Sequence, residues 1–236
     1  MDSLGPPLRK QSLQEMVYQR LREAIFSSTF LLGQQIKIGL IAQELNVSAL
    51  PVREALRRLE AEGLVTFEKK KKIVVNQLSR EDLFDIYSTM IPLEEISFEK
   101  CFSNLDNYKL KELERVYLKI TQPDVLGQKW VSLNSSFHAK IHEMTGSPRL
   151  IKILSSLGDN VRPYFNLFAQ DKKLVDQANR EHGLILEALK NGSLEKGMNI
   201  IRVHFERGRA SIDAILKHQV EIDHKRYFLR EYCKHA

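Results

Sequence analysis

Leu40-Ile41-Ala42-Gln43-Glu44-Leu45-Asn46-Val47-Ser48-Ala49-Leu50-Pro51-Val52-Arg53-Glu54-Ala55-Leu56-Arg57-Arg58-Leu59-Glu60-Ala61-Glu62-Gly63-Leu64-Val65 is the stretch on which the fold turns. A short helix carrying Leu40, Ile41 and Leu45 gives way to the turn Asn46-Val47-Ser48, and a second helix runs from Ala49 to Glu62. Gly63 follows, then the apolar runs Leu64 to Phe67 and Ile73 to Val75, separated by Lys69-Lys70-Lys71-Lys72. This order is that of a winged helix-turn-helix, whose second helix enters the DNA major groove. Double-stranded DNA is the expected partner.

The second helix starts at Ser48, whose hydroxyl is placed to cap free backbone N–H groups, while Pro51 sits in the first turn where its missing N–H costs little. Val52, Ala55, Leu56 and Leu59 form its core stripe and leave Arg53, Arg57 and Arg58 on other faces. Arginines on an amphipathic helix are ordinarily just solvated, but here a hairpin tipped by Lys69, Lys70, Lys71 and Lys72 follows. Four adjacent ammonium groups repel one another unless an anion is near, and lysines of this kind add affinity for phosphates without reading sequence. Arginine can do more, because its planar fork suits guanine edges as well as phosphates.

Toward the N-terminus, Met1 to Lys10 holds Gly5-Pro6-Pro7 and no periodicity. It reads as a mobile arm whose Arg9 and Lys10 can touch phosphates. Ser12 with Glu15 has the capping-box pattern and opens a scaffold helix with Leu13, Val17, Leu21, Ala24 and Ile25 at helical spacing. Gly33 breaks the chain before Ile36-Lys37-Ile38, a short extended piece leading into the helix Gly39 to Leu45.

At 236 residues the chain is too long for this module alone and suggests about two domains. The boundary is expected near residue 76, with residues 77–236 forming the second. Hydrophobic residues at 43% and charged residues at 28% are the proportions of an ordinary globular protein. No apolar run reaches the roughly 18 residues of a membrane span, and Met1 to Lys10 lacks the core of a secretion signal, so a cytoplasmic location is expected. Cys101 and Cys233 are far apart and lack a CxxC spacing, which indicates neither a disulfide framework nor a thiolate zinc site and reads as two reduced thiols. Of the net +6, residues 1–76 hold 12 Lys or Arg against 8 Asp or Glu, which suits a phosphate-rich partner.

Beyond Leu78-Ser79-Arg80-Glu81-Asp82, read as a linker ending in a helix cap, the periodicity is helical throughout. It predicts helices near Glu81 to Phe102, Tyr108 to Ile120, Val125 to Thr145, Pro148 to Phe168, Leu174 to Lys190 and Leu194 to Gln219, with a tail from Val220. Pro92 is expected to kink or split the first. The fold class is therefore mainly α: a winged helix-turn-helix followed by an all-helical antiparallel bundle. Among its seven histidines, His138, His182 and His204 fall on separate helices and can converge inside a bundle, where imidazoles make good transition-metal ligands. A lone helical histidine is more often an ordinary surface or core residue. Three imidazoles with an open position could also activate water in a metal-dependent enzyme, but no general base is placed for it, since Glu181, beside His182, points elsewhere on its helix.

The N-terminal stretch resembles the GntR family of bacterial transcription regulators, most specifically in Pro51 to Val65. The resemblance implies a homodimer on a palindromic operator and a C-terminal domain that senses a metabolite. The second domain looks like the FCD effector domain of the FadR branch, in Leu133 to His138, Gly146 to Leu150, Glu181 to Gly192 and Arg202 to His204. That likeness implies a divalent metal such as zinc or nickel held by His138, His182 and His204, with a carboxylate effector completing the shell. The chain departs from the pattern in several places. Ala49-Leu50 stands where the family writes Arg-Thr, Ile38-Gly39 where it tends to carry charge, and Lys72 where the wing has glycine. Met90 replaces an arginine that meets the effector, leaving Arg162 as a candidate substitute, and Asn134 replaces the metal-binding aspartate. An amide oxygen can still coordinate but brings no charge, so metal should bind less tightly and an anionic ligand should be favoured once it is bound. His142, one turn beyond His138, is read as solvated or as an auxiliary ligand. Losses at Ala49, Met90 and Asn134 also allow a degenerate regulator that holds DNA through its lysines alone.

Overall fold

The computed structural model describes residues 13–68 and 72–232, with side chains described as far as Lys217. Ser12, the arm, Lys69, Lys70, Lys71 and Cys233 lie outside the described residues. The chain divides into two compact units, 1–77 and 78–236.

In the first unit, α1 (Leu13–Phe26) is followed by β1 (Gln35–Ile36), α2 (Ile38–Glu44), α3 (Ala49–Ala61), β2 (Val65–Glu68) and β3 (Lys72–Val75). Its core joins Val17, Leu21 and Ile25 of α1 to Val52, Leu56 and Leu59 of α3, with Ile73 and Val75 closing one side. Both helices of the helix-turn-helix end in the same way. At the end of α2 the Val47 N–H reaches the Ala42 carbonyl at 2.9 Å and the Asn46 N–H reaches Gln43 at 3.2 Å; at the end of α3 Leu64 reaches Leu59 at 2.9 Å and Gly63 reaches Glu60 at 3.0 Å. Each is a Schellman closure with a left-handed residue, Asn46 at φ 51° and Gly63 at φ 76°. The three-stranded sheet has the order β1-β3-β2, all antiparallel, with Phe67 opposite Ile73 and Glu68 opposite Lys72.

Ser48 occupies the N-cap of α3 in extended conformation, yet its side chain accepts no capping hydrogen bond. The expected hydroxyl cap is absent, and one of its two possible donors is missing for a covalent reason. A serine cap accepts from the second or third helical residue, and the third here is Pro51, which has no N–H.

The second unit is helical: α4 (Arg80–Ser103), α5 (Asn107–Ile120), α6 (Gly127–Met144), α7 (Pro148–Phe168), α8 (Lys172–Lys190) and α9 (Leu194–Tyr232). Ser79 opens α4 with a full capping box, its hydroxyl accepting from the Asp82 N–H and the Asp82 carboxylate accepting from the Ser79 N–H, each at 3.0 Å. The expected split at Pro92 does not occur, and α4 runs unbroken. The residue lacks one N–H and crowds the carbonyl one turn back, but α9, α6 and α7 all pack against the helix and hold it. Likewise α9 continues past Gln219 as one helix.

The crossing of α9 over α4 depends on the absence of a side chain. A Cβ at Gly197 would lie 2.3 Å from two ring atoms of Phe98, itself 0% exposed. Gly to Ala inside a helix ordinarily stabilises by about 1 kcal/mol, but overpacking of a closed core costs about 1–3 kcal/mol. Gly197→Ala should therefore lower the urea midpoint, whereas Gly158→Ala, where nothing lies within 4 Å, should leave it unchanged or raise it.

Candidate functional site

Two places concentrate chemistry, one in each unit. In the first, the exposed face of α3 sorts its arginines. Arg58 donates to Glu15 at 2.6 Å and Glu62 at 3.3 Å and lies 3.5 Å over the Tyr18 ring. It is committed to joining α1 and α3. Arg57 donates to Glu60 at 2.9 Å and stacks 4.2 Å over Phe67, while the same Glu60 accepts from the Phe67 N–H at 3.3 Å. Expected from sequence at the DNA, Arg57 is thus engaged in bracing the wing against α3, though its side chain remains 58% exposed. Arg53 is exposed and has no ion-pair partner among the described residues. Of the wing lysines only Lys72 is described, 3.2 Å from Glu68.

In the second unit, His138 from α6, His182 from α8 and His204 from α9 meet, with one ring nitrogen of each within 4.8 Å of the others. Helical phase brings them inward with the apolar residues around them. His182 is 0% exposed and lies against Phe137 at 4.5 Å between centroids, with Trp130 at 6.5 Å. Phe205 lies 5.1 Å from His138. The Nε2 atoms of His138 and His204 are 3.3 Å apart. Nδ1 of His138 and both ring nitrogens of His182 are buried with no hydrogen-bond partner.

That last observation tests the fit of a metal. Buried polar nitrogens are nearly always satisfied; a divalent cation would take one lone pair from each ring, which would satisfy one nitrogen of His182, while His138 bound through Nε2 would still leave its Nδ1 without a partner. A tetrahedral ion with Zn–N of about 2.0–2.1 Å separates its ligands by about 3.4 Å, close to the His138–His204 separation. The donor set is chemically suitable for zinc or nickel. Asn134 is buried one turn before His138 on α6, on the same side of that helix by its spacing.

The carboxylates around the cluster were misjudged from sequence. Glu181 does not point away: its Oε2 accepts from His204 Nδ1 at 2.7 Å, its other oxygen accepts from Gln177 Nε2 at 2.8 Å, and it also pairs with Arg207. Neighbouring residues on one helix diverge by about 100°, but α9 crosses so that His204 lies within reach of both Glu181 and the cluster. His142 is not solvated either. It is 8% exposed, and its Nε2 lies 2.9 and 3.0 Å from the two oxygens of Glu94, 3% exposed. Sequence spacing did not show either contact: the packing of α8 on α9 brings Glu181 to His204, and that of α4 on α6 brings Glu94 to His142. Met90 is buried. Arg162 is half-buried on α7 with its Nε withdrawn from solvent.

Burial holds all three imidazoles neutral. It lowers His138 well below the ordinary value, with the neighbouring rings adding to the effect, lowers His182 similarly, and takes His204 to about 4 despite the charge of Glu94. Groups with folded pKa values depressed below an unfolded value of about 6.5 take up protons first in the unfolded chain. Metal-free protein should keep full stability above pH 6.5 and lose it as pH falls toward 4. Thermal melts of chelator-treated protein across that window check this, and His204→Gln should flatten the slope.

Both units match described families. Residues 13–75 match the bacterial regulatory proteins of the gntR family, and residues 85–207, more than half of the chain, match the FCD domain. The chain is 26% identical over 204 residues to the HTH-type transcriptional regulator YdhC of Bacillus subtilis (strain 168), covering 85% of this chain and 91% of that one. The solved structure of E. coli McbR/YncC shares its fold with a TM-score of 0.76 at 20% identity, covering 88% of this chain and 100% of the other. A GntR transcriptional regulator from Rhodococcus sp. RHA1 does so with 0.75 at 21%, covering 86% and 99%. The relatives named here are transcriptional regulators rather than enzymes. With a gntR-type helix-turn-helix at residues 13–75 and an FCD domain at 85–207, the chain belongs to the GntR family of bacterial transcription regulators, in the branch whose second domain is of the FCD type.

Proposed function

We propose that the protein is a homodimeric, ligand-responsive regulator that sets two copies of α3 into major grooves about one DNA turn apart on a palindromic operator. The observation that carries the sensing part is the convergence of His138, His182 and His204 with buried, unpartnered ring nitrogens. A divalent metal, zinc or nickel, would be held there by the three imidazoles with Asn134, and would supply positive charge to a small carboxylate effector. Because Asn134 is neutral, that charge is offset less by the protein, which favours an anion. Arg162 is the candidate second contact for the effector. Glu181 orients His204 by accepting from its Nδ1, which leaves Nε2 toward the other rings.

On the DNA side, Arg53 is the base-reading candidate, Ser48 with its uncommitted hydroxyl a phosphate contact, and Lys69, Lys70, Lys71 and Lys72 the wing's backbone grip. Arg57 supports them by bracing the wing and can still offer its outer edge to a phosphate. Effector binding changes operator affinity only if the two dimer geometries bind it differently.

Selection of bound duplexes from a random pool should return a palindrome with half-sites one turn apart. Arg53→Ala should weaken binding to it by about 1–3 kcal/mol and relax one position in each half-site. A recovered pool without consensus, with binding that follows salt alone, would leave only phosphate adhesion. Elemental analysis should find one metal per chain, absent in His138→Ala. Glu181→Ala should lose about 10–100-fold in metal affinity, read by competition with a chromophoric chelator; equal affinity in that variant would remove Glu181 from the site.

A further inference from the structure

Helix α3 carries one large apolar side chain that packing does not explain. Leu50 is 63% exposed, while Val52, Leu56 and Leu59 on the same helix are at 0%. Single exposed leucines are common on protein surfaces, and Leu31 and Leu40 are exposed too. Leu50 differs in where it stands and what stands beside it. It lies in the first turn of the second helix of a helix-turn-helix, the part that meets base edges when such a helix docks. Ser48 and Ala49 before it are exposed, as are Arg53 and Glu54 on the next turn of the same face.

The remainder of that face narrows what Leu50 can do. Arg57 is occupied by Glu60 and Phe67, and Arg58 by Glu15, Glu62 and Tyr18. Arg53 has no ion-pair partner among the described residues. The reading end of α3 therefore presents an apolar group next to a single uncommitted guanidinium. In the major groove every base edge offers donors or acceptors, which a leucine can only desolvate, and one apolar feature, the C5-methyl of thymine.

We propose that Leu50 reads a thymine methyl group in each half-site, beside a base contacted by Arg53. This rests on the reading of α3 as the groove-entering helix and adds the chemical identity of a base. Residues three apart on a helix are about 4.5 Å apart along its axis, and bases on one strand are spaced by about 3.4 Å. The thymine and the Arg53 base accordingly lie one or two steps apart. Methyl burial of this kind contributes roughly three- to fivefold in affinity per thymine.

The test uses full-length protein and the duplex recovered by random-pool selection. Each preferred thymine is replaced in turn by deoxyuridine, which lacks only the methyl group, symmetrically in both half-sites, and affinity is followed by fluorescence anisotropy at fixed salt. One position should lose about 9- to 25-fold for the two replacements with wild type, and the thymine-to-uridine ratio should fall to near one with Leu50→Asn, which keeps side-chain size but not the apolar surface. Leu50→Met, which restores that surface, should restore the ratio. Because the readout is a ratio on the same protein, partial misfolding of a variant does not mimic it. If no thymine is sensitive, or if the sensitive one is equally so in Leu50→Asn, the assignment of Leu50 is wrong while the regulator reading stands. A pool that yields no preferred sequence overturns both.

Discussion

Three imidazoles cannot be enclosed together as cations. Around His138, His182 and His204 the protein offers Phe137, Trp130 and Phe205, surroundings that keep each ring neutral and its lone pair available. Fold and chemistry are coupled at this point, because the same packing that fills the centre of the helical unit leaves nitrogens without partners. A core built only for stability would replace such rings with aliphatic side chains and avoid the desolvation cost. Their retention on three different helices ties the geometry of α6, α8 and α9 to whatever satisfies those nitrogens.

Carboxylates set how the rings are presented. Glu181 takes the Nδ1 proton of His204 as its hydrogen bond, and Glu94 engages His142 one turn from His138. Both are nearly buried, at 5% and 3% exposed, so their orientation is fixed by packing and by a small number of partners. Neither belongs to the group of three ring nitrogens, yet each governs a ring in or beside it. Any ligand-driven shift of α9 relative to α8 would act through the Glu181–His204 contact.

The DNA-reading unit follows a parallel logic of commitment. Schellman closures at Asn46 and Gly63 fix where α2 and α3 stop, and the carboxylates of Glu15, Glu60 and Glu62 take up Arg57 and Arg58. Structure is thereby built from residues that look, in composition, like nucleic-acid ligands. What is left over for a partner is concentrated at the start of α3, in Ser48, Leu50 and Arg53.

Much of this was legible in the chain itself. Helical periodicity, turn residues and the Pro51 to Val65 string determined the helix-turn-helix, the wing, the helical second unit and the helices bearing the three histidines, because those features depend on neighbours within a few residues. Packing overruled the expected split at Pro92, whose helix continues because three others pack against it. The cap at Ser48 is absent, and the covalent chemistry of Pro51 removes one of its two possible donors. What only the tertiary structure decided was pairing over long separations: Glu181 with His204 across 23 residues and Glu94 with His142 across 48. Arg58 with Glu15 across 43 is of the same kind. Sequence spacing tells which face of a helix a side chain occupies, but which other face it meets is set by how helices cross, and that crossing minimises the free energy of the whole core at once.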